Sequence, residues 1–194
     1  MDRTQIEDAL SALGELLADS EAPPASLVVC GGASLIVNRW VPRSTQDVDV
    51  LAFCESAHPD QSDLRRCEKL PEYLEKAVSK VASEFGLGPE WLNIGPSGLV
   101  QLGLPDGLMA RAIRRDYGRA LSVFYISRFD QVHFKLYAAI DGSERHLQDL
   151  KKLKPTEEEI ESAKAWVEKT LHGGFLPADM ATVMENLGYG HLLE

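Results

Sequence analysis

The sequence predicts an α/β domain, and three observations carry that prediction. Short β-branched and apolar runs at 26–30, 48–53 and 120–127 alternate with longer stretches whose apolar residues recur every three to four positions. Gly and Pro gather at the joints between them. Of 194 residues, 44% are hydrophobic and 26% charged, which separates the chain from the polar, charge-rich mix of a disordered segment.

Taken in order, Thr4 and Glu7 have capping-box spacing, and Ile6, Leu10, Leu13 and Leu17 follow at helical spacing, so an amphipathic helix is expected to end near Asp19. Two prolines within 21–25 break it. The strand at 26–30 stops at Gly31-Gly32, and a short helix is expected over 33–40. The second strand, 48–53, places Asp47 and Asp49 on one side and Val48, Val50 and Ala52 on the other. Residues 62–85 fit one or two helices closed by Gly86, with Pro71 near a start. The stretch 88–107 is too apolar for a solvated linker and reads as a packed loop or small helices. A third strand at 120–127 is followed by helices at 130–140 and 144–153. Pro155 and the Thr156/Glu159 capping box start another helix through Thr170, His172-Gly173-Gly174 ends it, and 177–187 forms a last short helix. The expected division is a domain over 1–154 with a helical extension over 155–194.

Thirty acidic against twenty basic side chains give a net charge of −10, which excludes a protein that coats nucleic acid through a broad basic face. No apolar run approaches the ~20 residues that span a bilayer, and 1–15 lacks the basic start and apolar centre of a signal peptide, so a cytoplasmic protein without a membrane partner is expected. Cys30, Cys54 and Cys67 have neither framework nor metal-knuckle spacing and read as small buried hydrophobes.

The chemistry concentrates in Val28-Val29-Cys30-Gly31-Gly32-Ala33-Ser34 and in Arg43-Ser44-Thr45-Gln46-Asp47-Val48-Asp49-Val50. Two glycines after a strand let a ligand approach the backbone and aim N–H groups at an anion. Two aspartates at i and i+2 of a strand share a face, with α-carbons roughly 6.6 Å apart, close enough to hold hard cations such as Mg²⁺ or Mn²⁺ together. A phosphate cradle beside a carboxylate pair is what metal-assisted phosphoryl or nucleotidyl transfer requires.

The glycine turn, short helix and Arg43-x-Thr45-x-Asp47-x-Asp49 resemble the nucleotidyltransferase superfamily of the DNA polymerase beta type, in particular its minimal bacterial members related to abortive-infection toxins. Leu104-Pro105-Asp106-Gly107, the strand at 121–127, Lys135-Leu136-Tyr137-Ala138-Ala139 and Asp149-Leu150 follow in the order seen in those proteins. The resemblance covers about 28–153. It implies a small mixed β-sheet flanked by helices and a helical C-terminal region. It also implies a nucleoside triphosphate substrate, an RNA (tRNA) or protein hydroxyl as acceptor, and an antitoxin partner. Under it, Asp47 and Asp49 hold the metal, Gly31, Gly32 and Ser34 contact the phosphates, and Lys135 faces the triphosphate. Arg43 and Thr45 lie at the site mouth, and Asp149 is the retained member of a later acidic motif. In that motif His146 stands where a first aspartate is usual. The strand 121–126 lacks the superfamily's third carboxylate, leaving Asp116, Asp130, Asp141 and Asp149 as substitutes; the alternative reading is a nucleotide-binding or interaction module without turnover.

Simpler readings compete at several positions. Lys135, between Phe134 and Leu136, equally suits a snorkelling lysine, and Asp149 a pair within its helix. His133, His146, His172 and His191 have no metal-type spacing to one another, and His58 precedes Pro59 in an expected loop. Arg111, Arg114, Arg115 and Arg119 read as a solvated helix face before an acceptor-binding patch.

Overall fold

Strand pairing in the computed structural model, which describes residues 1–140, 142–171 and 178–193, starts from a central strand buried along its whole length. This is β1 (Ala25–Cys30), which pairs antiparallel with β2 (Val48–Cys54) and parallel with β5 (Leu121–Tyr125). Two short strands complete a mixed sheet: β3 (Leu92–Asn93) lies parallel to β2, and β4 (Ile113–Tyr117) antiparallel to β5, in the order β3-β2-β1-β5-β4. The β1–β2 register passes from Val28↔Ala52 to Val29↔Val50, so Leu51 is an extra residue that bulges β2.

Helices α1 (Arg3–Asp19), α2 (Gly31–Val37) and α3 (Glu72–Phe85) belong with this sheet. Ile6, Leu10, Leu13 and Leu17 of α1 and Leu74, Val78 and Val81 of α3 join Leu27, Val29, Val48, Val50, Val123 and Tyr125 in one core. Removing these side chains from water is the main stabilising term. Where α1 meets β4, a methyl group on Gly14 would lie 1.9 Å from the Tyr117 carbonyl oxygen, so that contact needs a residue without a side chain. Helix α1 is capped by Asp2 and Gln5, each side chain accepting the other's backbone N–H at 2.9 Å, instead of by Thr4 and Glu7. Glu7 lies inside the helix and pairs with Arg3 at 3.1 Å and Arg115 at 2.7 Å.

Only the second part of 62–85 forms a long helix: Pro71 is the N-cap of α3 and Gly86 its left-handed C-cap. The apolar stretch 88–107 supplies β3, a 3-10 turn (Gly95–Gly98) and α4 (Leu99–Leu102), and α5 (Leu108–Arg111) follows. The basic segment is not one helix face: Arg111 ends α5, Arg114 and Arg115 lie on β4, and Arg119 follows it. On β4, Arg114 pairs with Asp116 at 2.8 Å and Arg115 with Glu7; beyond it, Arg119 donates to the Ala18 carbonyl at 2.9 Å.

By its internal contacts the chain divides into two units, Met1–Ser127 and Arg128–Glu194. That division falls at 127/128, whereas the sequence places the expected boundary at 154. Helix α6 (Arg128–Ile140) packs with α7 (Glu144–Leu153), α8 (Glu157–Thr170) and α9 (Ala178–Leu187), placing it in the C-terminal unit. There Trp166 of α8 lies 5.5–6.0 Å, between ring centres, from Phe134, Tyr137 and His133 of α6. The Thr156/Glu159 capping box forms as its spacing predicts. Asp141 and the expected terminator His172-Gly173-Gly174 lie outside the described residues. No helix among the described residues is long and apolar enough to cross a membrane.

Candidate functional site

Register alone brings the central acidic residue to the glycine turn. Asp49 pairs with Cys30 on β1 and with Asn93 on β3, so it lies between the end of β1 and the short edge strand. Gly31, the next residue after Cys30, has φ +64, in the left-handed region where a side chain is strained. A methyl group there would lie 2.0 Å from Asp49 Oδ2 and 2.8 Å from its Cγ. The carboxylate therefore occupies the space that glycine leaves.

The second glycine is flanked from another segment. A methyl group on Gly32 would meet Thr45 Oγ1 at 2.6 Å and Arg43 Nη2 at 2.9 Å. Thr45, itself buried, donates from Oγ1 to Asp47 Oδ1 at 3.2 Å, and Arg43 Nη1 donates to the Ser44 carbonyl at 2.8 Å. The strand begins at Val48, so Asp47 stands one residue ahead of it. Its position is set by Thr45 and not by the alternation that the sequence suggested. Asp49 reaches the bend directly and Asp47 reaches it through Thr45. Both aspartates are half-buried.

Six of the expected site residues thus meet in one place: Gly31, Gly32, Arg43, Thr45, Asp47 and Asp49. Ser34 points elsewhere: fully buried, it donates to the Ile126 carbonyl at 3.2 Å and ties α2 to the end of β5. Lys135 and Asp149 belong to the C-terminal unit, where Lys135 Nζ lies 2.9 Å from Asp149 Oδ2 and 3.1 Å from His146 Nδ1. Both side chains are almost wholly enclosed, 4% and 1% exposed, so this is an interior ion pair. Of the substitute carboxylates, Asp116 sits on β4. There the Ser122 hydroxyl and Arg114 guanidinium hold it below the usual carboxylate range. Asp130 is in the C-terminal unit with Asp149.

The residue missed at sequence level is Asn93. Its Oδ1 accepts the Gly95 N–H at 2.8 Å, which turns the amide nitrogen toward Asp49 Oδ1, 3.3 Å away. The available signal was the apolar run Trp91-Leu92-Asn93-Ile94 just ahead of Gly95-Pro96, an apolar segment closed by a turn. Among the described residues, no group of three or more His, Cys, Asp or Glu side chains is arranged to hold a metal.

No family model, curated protein or solved structure matches the chain.

Proposed function

We propose that the N-terminal unit binds a nucleoside triphosphate with Mg²⁺ or Mn²⁺ and transfers its nucleotidyl group to a hydroxyl of RNA or protein. The supporting observation is the contact of the Asp49 carboxylate with Gly31, beside the Arg43/Thr45 edge of Gly32. Asp47 and Asp49 would hold the cation, which when bound neutralises phosphate charge and steadies the attacking and leaving oxygens. Gly31 and Gly32 let the Asp49 carboxylate and the Thr45/Arg43 edge close on the bend, and Arg43 would supply a planar donor for phosphate oxygens. Thr45 keeps Asp47 turned toward the bend through its 3.2 Å hydrogen bond. A role as a toxin restrained by an antitoxin is part of the same reading, on the strength of the motif resemblance alone.

A second reading is favoured by one observation: the residue facing Asp49 from β3 is an amide and not a carboxylate. A chain with two acids binds nucleotide and metal and turns over slowly or not at all. One experiment separates the readings. The protein is incubated with labelled nucleotides, Mg²⁺ and a mixed RNA pool, and compared with D47N/D49N. Label in RNA or in the protein itself that disappears in the variant supports transfer. Metal-dependent nucleotide binding without product supports the module, and no binding at all defeats both.

A further inference from the structure

Asn93 hydrogen-bonds Asp49 from the neighbouring edge strand, and its orientation is fixed. The Gly95 N–H occupies its carbonyl oxygen at 2.8 Å, so the amide presents N–H to Asp49 at 3.3 Å. An amide nitrogen with its hydrogens directed inward cannot ligate a cation, and it occupies one oxygen of the carboxylate that would. The other oxygen, Oδ2, is the one against Gly31. A cation here would draw on two carboxylates, Asp47 and Asp49, each of which already accepts a hydrogen bond, from Thr45 and from Asn93. Mg²⁺ characteristically takes one or two carboxylates and completes its shell with water and substrate phosphates.

We infer that Asn93 is a positioning residue that sets the cation affinity of this site low, by clamping Asp49 with a neutral donor where a third acid would strengthen binding. This rests on the nucleotidyl reading for what the site is used for, and the metal measurement below does not depend on it. The consequence for that reading is that metal and nucleotide bind as one complex, since the phosphates supply the oxygens that the protein withholds.

The test measures MnCl₂ binding to the full chain, without nucleotide, by electron paramagnetic resonance and calorimetry. Wild type should bind Mn²⁺ with a Kd in the millimolar range. N93D keeps the shape of the side chain and an acceptor for the Gly95 N–H, and should bind at least tenfold tighter. N93D/D49N should return to the wild-type value, and N93A, which releases Asp49 Oδ1 from its donor, should bind severalfold tighter than wild type but less tightly than N93D. Micromolar Mn²⁺ binding by wild type overturns the inference whether or not N93D folds, and so does an N93D that folds but binds no tighter. A separate arm adds a mixture of the four ribonucleoside triphosphates with Mn²⁺ and reads the melting temperature. If that mixture leaves wild type unshifted while N93D still tightens on Mn²⁺, the nucleotidyl reading falls and the assignment of Asn93 stands.

Discussion

Gly31→Ala tests the geometry on which the candidate site depends, without assuming any activity. At φ +64 an alanine pays about 1–2 kcal/mol for the left-handed backbone. Its methyl would also lie 2.0 Å from Asp49 Oδ2, so the carboxylate must swing away and lose the 3.3 Å hydrogen bond from Asn93, costing about 1 kcal/mol more. A total of about 2–3 kcal/mol lowers Tm by roughly 4–12 °C in a chain of this size. Gly32→Ala is the internal control. It has no positive φ and gains helix propensity, and its methyl would press on Oγ1 and Cβ of the buried Thr45 at 2.6 and 3.0 Å and on Arg43 Nη2 at 2.9 Å, so its cost is steric alone, without the left-handed backbone part and without coupling to Asp49. Urea and thermal denaturation of both variants, and of D49A and G31A/D49A, give the cycle: removing Asp49 should return about 1 kcal/mol of the Gly31→Ala cost and leave the backbone part. A G31A protein that melts within 1 °C of wild type, or a cycle with no coupling, refutes the placement of Asp49 against the bend.

Much of the fold could be read because periodicity is strong where burial is one-sided or complete. The core stripe of α1, the strands β1, β2 and β5, and the helices from 130 onward are written in the apolar spacing. Strand β4 was not, because Ile113-Arg114-Arg115-Asp116-Tyr117 lies at a sheet edge, mostly exposed, and shows the charge pattern of a solvated surface. Strand β3 spans two residues and leaves no period to detect. At the site, Gly31, Gly32, Asp47 and Asp49 stood out as a motif, since close approach and paired acids demand those residue types. Asn93 did not, because its role depends on a register across two strands. The expected boundary at 154 followed Pro155, a conspicuous breaker, whereas the contact division at 127/128 reflects the packing of α6 on α8, which is long-range in sequence.

Further outcomes follow from the packing. D149A should cost about 3–5 kcal/mol in urea unfolding because it strands the enclosed Lys135 charge, and K135M/D149L should recover most of that loss; a D149A within 1 kcal/mol of wild type contradicts an interior pair. Burial first, then the Asp63 charge, pushes the Cys54 thiol up to about 11. Because the folded value exceeds the unfolded one, near 9, the stability this group contributes is complete below pH 9 and is lost as pH rises from 9 through 11. Replacing Cys54 with Ala should flatten that alkaline limb, which a pH series of melting curves would reveal. Tyr125→Phe removes the 2.8 Å hydroxyl contact with Tyr117 in the core and should cost about 1 kcal/mol, read as a fall in Tm. Ser122→Ala removes the chief hydrogen bond to Asp116, so an NMR titration should show that carboxyl moving up toward its ordinary range.

Strand β4 ends the sheet, and no further strand among the described residues pairs with it. A bare row of backbone donors and acceptors invites another chain to zip on. Here Arg114 and Asp116, opposite in sign, stand exposed along that rim with the half-buried Arg115 between them, so an incoming strand would have to shed water from charged groups before it could bond. These charges serve as aggregation gatekeepers: exchanging Arg114 and Asp116 for valine would leave the core contacts in place and turn the rim into a nucleus for fibril growth.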